Sequence, residues 1–459
     1  MVRIALAAVL ALAAALAPPL QAPPSRPNIL FIQADDLGYG DLSVYGQTHF
    51  RTPSIDRLAA GGIRFTQYYA GSTVCAPSRT ALLTGLHTGH ASIRGNLELP
   101  LPEGDVTLAM ALRDAGYRTA VIGKWGLGNP GTTGEPGKKG FDYSFGFLDQ
   151  RHAHRQYTDH LFRNAERYPT DLEHDYVNDL FTRETLSVID AADPRPFFIY
   201  LNYTVPHAEL RAPEDSMRQW RGKFPETPFV NARGDATPTG TDEEIAPYRS
   251  QETPKAAFVA MITRMDRDIG VIADRLRARG LDRTTLLVFT SDNGPHQEGG
   301  GAPDYFRSSG YLRGIKRDLY EGGIRVPFIA SWPGTIPAGR VSAQPWAHWD
   351  MFPTLAELAR AKTPPGLDGK SMAAALRGGT PPEHDPFYWE FHERGFTQAA
   401  RIGKWKAVRL AKDAPLELYD LDADPKETRN VASAHADVVT RMNDYLKGAR
   451  TDSALWPIK

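Results

Sequence analysis

Cysteine is almost absent from this chain: Cys75 is the one thiol in 459 residues, so no disulfide can close within it. Neither sign of charge is in surplus. Lys and Arg total 53 against 54 Asp and Glu, a net of −1, which provides no basic field for nucleic acid and no cationic face for a membrane surface. Any anion site must therefore be a local gathering of charge. Cys/His groups with zinc spacing are lacking, as are internal repeats and, past the leader, low-complexity tracts. Beyond residue 20 no apolar run is long enough to span a bilayer. Glycine and proline are plentiful, at 41 and 36, the composition of a chain with many turns and long loops. With 41% hydrophobic and 23% charged residues, the length suits one large domain and a smaller one.

Residues 1–20 hold one arginine, an Ala/Leu/Val run and Pro18-Pro19. This reads as a signal peptide, residues 1–22, cleaved after Ala17 or Ala22. The run is short for a membrane anchor. The expectation is an exported protein, periplasmic or secreted, with no stable membrane span after cleavage.

Four later runs have the length and apolar continuity of strands buried on both faces: residues 28–32, 119–123, 197–203 and 285–290. Each is followed by residues that can do chemistry: Asp35 and Asp36, then Lys124, then His207, then Asp292 and Asn293. In open α/β sheets, sites form at the carboxyl ends of strands, so these four ends are expected to converge on one crevice. Asp and Gly also make surface turns, a lone lysine is commonly a surface residue, and a histidine can be purely structural, so each taken alone fits either reading. Adjacent buried acids repel unless a cation lies between them. Together, Asp35, Asp36, Asp292 and Asn293 form an all-oxygen set of the kind hard cations prefer.

Cys75 has three readings: a small buried hydrophobe, a reactive thiol, or a residue converted to something else. Pro77 and Ser78 favour a turn, and residues 80–83 read as the first turn of a helix. Cys75 would then sit just ahead of a helix N-terminus, where backbone N–H groups favour anions, with Arg79 able to reach the same anion. The run Cys75-Ala76-Pro77-Ser78-Arg79, with Leu82, Thr84 and Gly85, resembles the Cys-x-Pro-Ser-Arg signature of the type I sulfatases. The resemblance implies that Cys75 is oxidised after translation to Cα-formylglycine, by a formylglycine-generating or an anaerobic maturation enzyme. Hydrated, that aldehyde offers two hydroxyls on one carbon. One attacks the sulfur of a sulfate monoester and expels the alcohol; the other loses its proton, the C–O bond to sulfate breaks and the aldehyde returns. A serine would stall as a stable sulfate ester.

The resemblance extends from about residue 27 to about residue 431 and gives roles to residues already singled out. It makes Asp35, Asp36, residue 75, Asp292 and Asn293 ligands of a divalent metal, Ca2+ with Mg2+ as the alternative. Arg79, Lys124 and Lys316 would neutralise the sulfate, with Arg317 next to Lys316 as the competing register. His207, after Pro206, corresponds to the histidine that protonates the leaving oxygen. Where the family runs Gly-Lys-Trp-His-Leu-Gly, this chain has Gly123-Lys124-Trp125-Gly126-Leu127-Gly128. Its missing histidine would be supplied from His152 or His154. His154 is the choice, because sulfatases with the glycine variant carry an Ala-His pair there. His87, His90, Arg94 and Asn96 follow the signature; Arg94 and Asn96 are expected as substrate contacts, with a solvated loop as the other reading.

The fold implied is α/β and alkaline-phosphatase-like: a large mixed, mostly parallel sheet flanked by helices, with a smaller C-terminal antiparallel sheet plus helix. Residues 23–375 would form the catalytic domain and 376–459 a C-terminal α+β subdomain. Residues 226–254 read as a polar loop or lid bearing on selectivity. Phe258, Ile262, Met265, Ile269, Ile272 and Leu276 mark one face of a long helix. Strand-like runs at 387–391, 397–402, 405–410 and 416–419 predict an antiparallel sheet, closed by a helix over 437–446. The function expected is hydrolysis of an organic sulfate monoester, a sulfated saccharide. The alternatives are a phosphatase or phosphonate monoester hydrolase of the same superfamily, or a catalytically inactive binding homologue.

Overall fold

The computed structural model describes residues 26–232, 235, 248–384 and 386–458. The leader, residues 1–22, and the middle of the 226–254 loop lie outside them. Among the described residues, no helix is long and apolar enough to cross a membrane.

The apolar runs form strands. β1 (Asn28–Asp35), β2 (Ile63–Tyr69), β3 (Arg118–Lys124), β4 (Tyr143–Phe147), β5 (His160–Arg163), β6 (Glu166–Pro169), β7 (Phe197–Pro206), β8 (Thr285–Ser291), β9 (Arg325–Ser331), β10 (Arg340–Ser342) and β11 (Trp346–Ala347) build one sheet. Its order is β10-β2-β9-β8-β1-β7-β3-β4-β5-β6, with β11 beside β2. The centre, β8-β1-β7-β3-β4, is parallel; β9, β5 and β6 pair antiparallel.

Both faces of the central strands are covered, which is why they read as unbroken apolar runs rather than alternating ones. Successive side chains still alternate. Leu30, Ile32 and Ala34 pack on one face under the helices Pro53–Ala60, Val177–Asp190 and Pro254–Ala278. Ile29 and Phe31 pack on the other, under Cys75–Thr84, Leu108–Asp114 and Met351–Ala359. The stripe from Phe258 to Leu276 lies within the first of these cores.

A second sheet is antiparallel, in the order β12 (Phe387–Phe391), β13 (Thr397–Ile402), β14 (Trp405–Arg409), β15 (Glu417–Asp420). One face holds Tyr388, Ala400, Ala407 and Leu418 against the helix Ala436–Gly448. The other lays Phe387, Trp389, Phe391 and Val408 against Tyr69, Val74 and Ala81, on and around the signature helix. Trp389 Nε1 donates to the Ala70 carbonyl at 2.9 Å.

Lys406 of β14 fastens the two parts. It is fully buried, 3.0 Å from Glu321 Oε1 and 3.7 Å from Glu427 Oε1. Burial pushes both carboxyls up. Lys406, Arg325 and Arg401 overcome this at Glu321, which falls to about 2, whereas Glu427 stays up at about 7. Replacing Lys406 by alanine removes the nearest cation from two buried carboxylates at once, with Glu321 keeping Arg325 at 3.3 Å. The expected loss is about 3–5 kcal/mol of stability, read by chemical denaturation, with Lys406→Gln also destabilising because it removes the charge.

Candidate active site

Parallel pairing sets the site. Ala34 of β1 lies beside Ser291 of β8, and Asp35 beside Pro206 of β7. Gly123, the residue before Lys124 in β3, lies beside Asn202 of β7. The four strand ends therefore stand side by side, carrying Asp35 and Asp36, Asp292 and Asn293, His207 and Lys124. Asp36 takes a left-handed φ of 63°, a rare conformation for a side-chain-bearing residue. Its N–H donates to Asp292 Oδ1 at 3.1 Å.

The signature helix closes this crevice. It begins at Cys75 itself, not near Thr80. Pro77 falls in the first turn, where its missing N–H would have had no intrahelical partner. Each signature residue has a visible task. Cys75 Sγ lies 3.4 Å from Asp35 Oδ1. The Ser78 hydroxyl donates to the Asp292 carbonyl and accepts from Gly71 N. Arg79 places Nε and Nη2 at 3.1 and 2.8 Å from Asp292 Oδ2, and its Nη1 donates to the Lys124 carbonyl at 2.8 Å. Gly85 ends the helix at φ 71°, where glycine is the residue with least strain.

Charge is divided between two poles. Lys124 Nζ donates to Asp35 Oδ2 at 2.7 Å. Lys316 Nζ donates to Asp36 Oδ2 at 2.7 Å and stands 3.1 Å from His207 Nε2. Asn293 Nδ2 donates to Asp36 Oδ1 at 2.6 Å, while Asn293 Oδ1 is buried without a hydrogen-bond partner among the described residues. Oxygen, sulfur and nitrogen atoms of Asp35, Asp36, Cys75 and His207 all come within 4.8 Å of one another.

Electrostatics follow from burial. Burial raises the Asp35 carboxyl, and Lys124, His207 and Arg79 overcome that and hold it well below the usual range. Asp292 is pushed up to about 7 by burial and by Asp35. Burial and Asp35 push the Cys75 thiol well above its ordinary value. Burial, then Lys316, pulls His207 well below the usual imidazole range. Three carboxylates thus share a dry space with two lysines and one arginine.

His154 stacks on His207, with ring centroids 4.6 Å apart and planes 16° apart. His152 points elsewhere, with Nε2 2.7 Å from Thr158 Oγ1 and its ring edge-on to Phe147. At Gly126, φ is 71° and a Cβ would run into the Gln150 amide. Gln150 Nε2 donates to the Gly126 carbonyl at 3.1 Å. A histidine at 126 has no room while Gln150 stands there. Asn96 Oδ1 accepts from Ala76 N at 2.9 Å, one residue from Cys75. Arg94 is not brought to the cluster: its guanidinium is bound to Glu390, Thr451 and Ala91. His90 and His87 face Asp368 instead.

Sequence reading missed three neighbours. His296 stacks 5.6 Å from His207 and its Nε2 lies 3.0 Å from the Pro206 carbonyl. The repeated Pro-His pair, Pro206-His207 and Pro295-His296, was a usable signal. Tyr248 packs against both His154 and His207. Glu298 sits 3.6 Å from Lys316 Nζ and is paired with Arg317. Neither Tyr248 nor Glu298 is marked by any pattern.

The protein family described as Sulfatase matches residues 27–361, and a family described as N-sulphoglucosamine sulphohydrolase, C-terminal, matches residues 313–452. An N-acetylgalactosamine-6-O-sulfatase of Bacteroides thetaiotaomicron is 30% identical over 515 aligned positions, covering 93% of each chain. Human arylsulfatase A is 32% identical, over 92% of this chain and 86% of its own. Among solved structures, Ps i-CgsB in complex with k-i-k-neocarrahexaose superposes with a TM-score of 0.78 at 26% identity, covering 95% of both chains.

Proposed function

The chain belongs to the sulfatase family, hydrolases of sulfuric esters, and from that premise we propose that it desulfates a saccharide with Cys75 as Cα-formylglycine and a divalent cation, Ca2+ ahead of Mg2+. The observation that carries the reading is the place of Cys75, 3.4 Å from Asp35 in a space shared with Arg79, Lys124 and Lys316. As a thiol it would be inert there, because burial and Asp35 oppose the thiolate that does nucleophilic work. When formed, the hydrated aldehyde supplies two hydroxyls on one carbon, one to take the sulfuryl group and one to release it.

Asp35, Asp36, Asp292 and Asn293 suit a hard cation. Their donors are all oxygen, three of them are carboxylates buried together, and Asn293 Oδ1 has no partner among the described residues. Such a cation, when bound, adds positive charge for the sulfate oxygens and for the nucleophile. The chain's own cations do the same from fixed positions. Lys124 and Arg79 stand on the Asp35 side and Lys316 on the Asp36 side, so the anion would be held from two directions. His207 Nε2 and Lys316 Nζ, 3.1 Å apart, form the edge from which a proton can reach the departing oxygen; burial and Lys316 keep the imidazole itself neutral, so Lys316 is the proton's source and His207 its relay. His154, stacked on the His207 ring, fixes its plane and keeps water off that face.

A saccharide is favoured because one relative is named N-acetylgalactosamine-6-O-sulfatase and the similar solved structure holds k-i-k-neocarrahexaose. The phosphatase alternative is not favoured, since the matching family and these relatives are sulfatases. The test is sulfate release from 4-nitrophenyl sulfate against phosphate release from 4-nitrophenyl phosphate; faster phosphate release would refute the reading. His207→Gln should slow a saccharide sulfate by a factor on the order of 10²–10⁴, and 4-nitrophenyl sulfate far less, because nitrophenolate departs without a proton. Equal losses on both would remove the acid role from His207.

A further inference from the structure

The catalytic cluster is buried, and the groups around it are less so. Cys75 is 1% exposed and the Lys316 side chain 2%, whereas the side chains of Glu298, Arg317 and Glu393 are 21%, 24% and 27% exposed. Those three belong to one circuit of polar contacts. Lys316 Nζ faces Glu298 Oε2 at 3.6 Å. Glu298 Oε1 is paired with Arg317 Nη1. Arg317 Nε donates to Glu393 Oε2 at 3.2 Å. Glu393 Oε1 accepts from Asn96 N at 3.2 Å, and Asn96 Oδ1 accepts from Ala76 N at 2.9 Å. The circuit starts at a candidate sulfate-binding lysine and returns to the residue beside Cys75.

Arg317 is held in an unusual way. Its φ is 76°, a region that favours glycine, and its N–H donates to the Thr73 carbonyl at 3.1 Å. The twist separates neighbours: Lys316 reaches Asp36 in the interior and Arg317 reaches the half-exposed carboxylates. Glu393 comes from the tip between β12 and β13, so the second sheet supplies part of this edge. The contacts above use Arg317 Nε and Nη1 and Asn96 Oδ1, so Arg317 Nη2 and Asn96 Nδ2 are further donors on this edge.

We propose that Glu298, Arg317 and Glu393 are specificity-determining residues that hold the hydroxyl-bearing ring of a sulfated saccharide beside the scissile sulfate; this rests on the sulfatase reading above. The chemistry matches. A sugar hydroxyl donates and accepts at once, and this edge offers carboxylate acceptors alternating with guanidinium and amide donors at fixed spacing. An aryl group has no hydroxyls to meet them and gains nothing from the edge.

The experiment measures kcat/KM on 4-nitrophenyl sulfate and on galactose 6-sulfate, N-acetylgalactosamine 6-sulfate and N-acetylglucosamine 6-sulfate. The best of the three sugars serves as the saccharide probe. Glu393→Gln, at an exposed hairpin tip, and Arg317→Lys, which keeps the charge and loses the fork, are compared with the unaltered protein. The saccharide-to-aryl ratio of kcat/KM should fall roughly tenfold or more in each, chiefly through KM on the sugar. The ratio does not depend on how much of a variant is folded. A ratio that stays constant in either variant, whether both activities fall together or neither does, overturns the proposal. Cleavage of the aryl ester and of none of the sugars also overturns it. Cleavage of no sulfate ester at all refutes instead the sulfatase reading on which it rests.

Discussion

Cys75→Ala is expected to abolish turnover, by a factor on the order of 10⁵–10⁶, the scale on which covalent nucleophiles fail when removed. The fold should survive. Cys75 occupies the first turn of its helix, with one buried sulfur and no disulfide, so its truncation removes a single heavy atom. A cost of about 1 kcal/mol is expected for so small a deletion. Activity and stability therefore part company, and that separation is the diagnostic. Sulfate release measures the first, and thermal unfolding the second. Cys75→Ser should stay folded and stay nearly inactive, because one hydroxyl can accept the sulfuryl group but has no partner to expel it. The native peptide should weigh less than its cysteine form by the difference between CH₂SH and CHO. Sulfate release by Cys75→Ala at an appreciable fraction of the native rate would remove residue 75 from the chemistry altogether.

Asp292→Ala should destabilise the protein heavily and also cost the activity. Arg79 is fully buried and has Asp292 Oδ2 at 2.8 Å, while Asp35 Oδ2 is at 4.0 Å. Without Asp292, a guanidinium is left in a dry interior with a distant partner, at a cost of about 3–5 kcal/mol. The Asp36 N–H loses its acceptor as well. The same substitution bears on the cation. Burial and Asp35 push Asp292 up to about 7, the mark of carboxylates gathered more closely than their own counter-charges allow. A bound divalent ion would relieve that. Added Ca2+ at 100 times its dissociation constant is expected to stabilise the native protein by about 2.7 kcal/mol, visible as a rise in melting temperature that a chelator reverses. Asp292→Ala should show little of that rise. An equal Ca2+ effect in both proteins would place the cation elsewhere.

Much of the site was legible because each strand end declared itself twice, once by an apolar run and once by the polar residue after it. Asp35, Lys124, His207 and Asp292 all stand where those runs end. What was not legible depends on partners far along the chain. Arg94 follows the signature closely, yet its guanidinium is taken by Glu390, 296 residues away. A local pattern cannot show such a partner. The signature helix starts earlier than its sequence suggests, because proline reads as a breaker although a first turn tolerates it. Glu298 and Tyr248 carry no periodicity and no motif; they matter through Lys316 and the two stacked histidines that the fold lays beside them.

The strand order has a bearing on time. β1 lies between β7 and β8, so the residues that flank it belong to segments 197–206 and 285–291. A chain emerging from its N-terminus cannot seat β1 until well over half its length has been made, and contacts this remote in sequence form slowly. Trp389 and its sheet arrive later still to cover Ala70 and the turn that leads into residue 75. Residue 75 is 1% exposed in the finished protein, too deep for another enzyme's active site to close around it, but is translated early. Any enzyme that alters it has its opportunity in that interval, and the topology of the sheet sets how long the interval lasts.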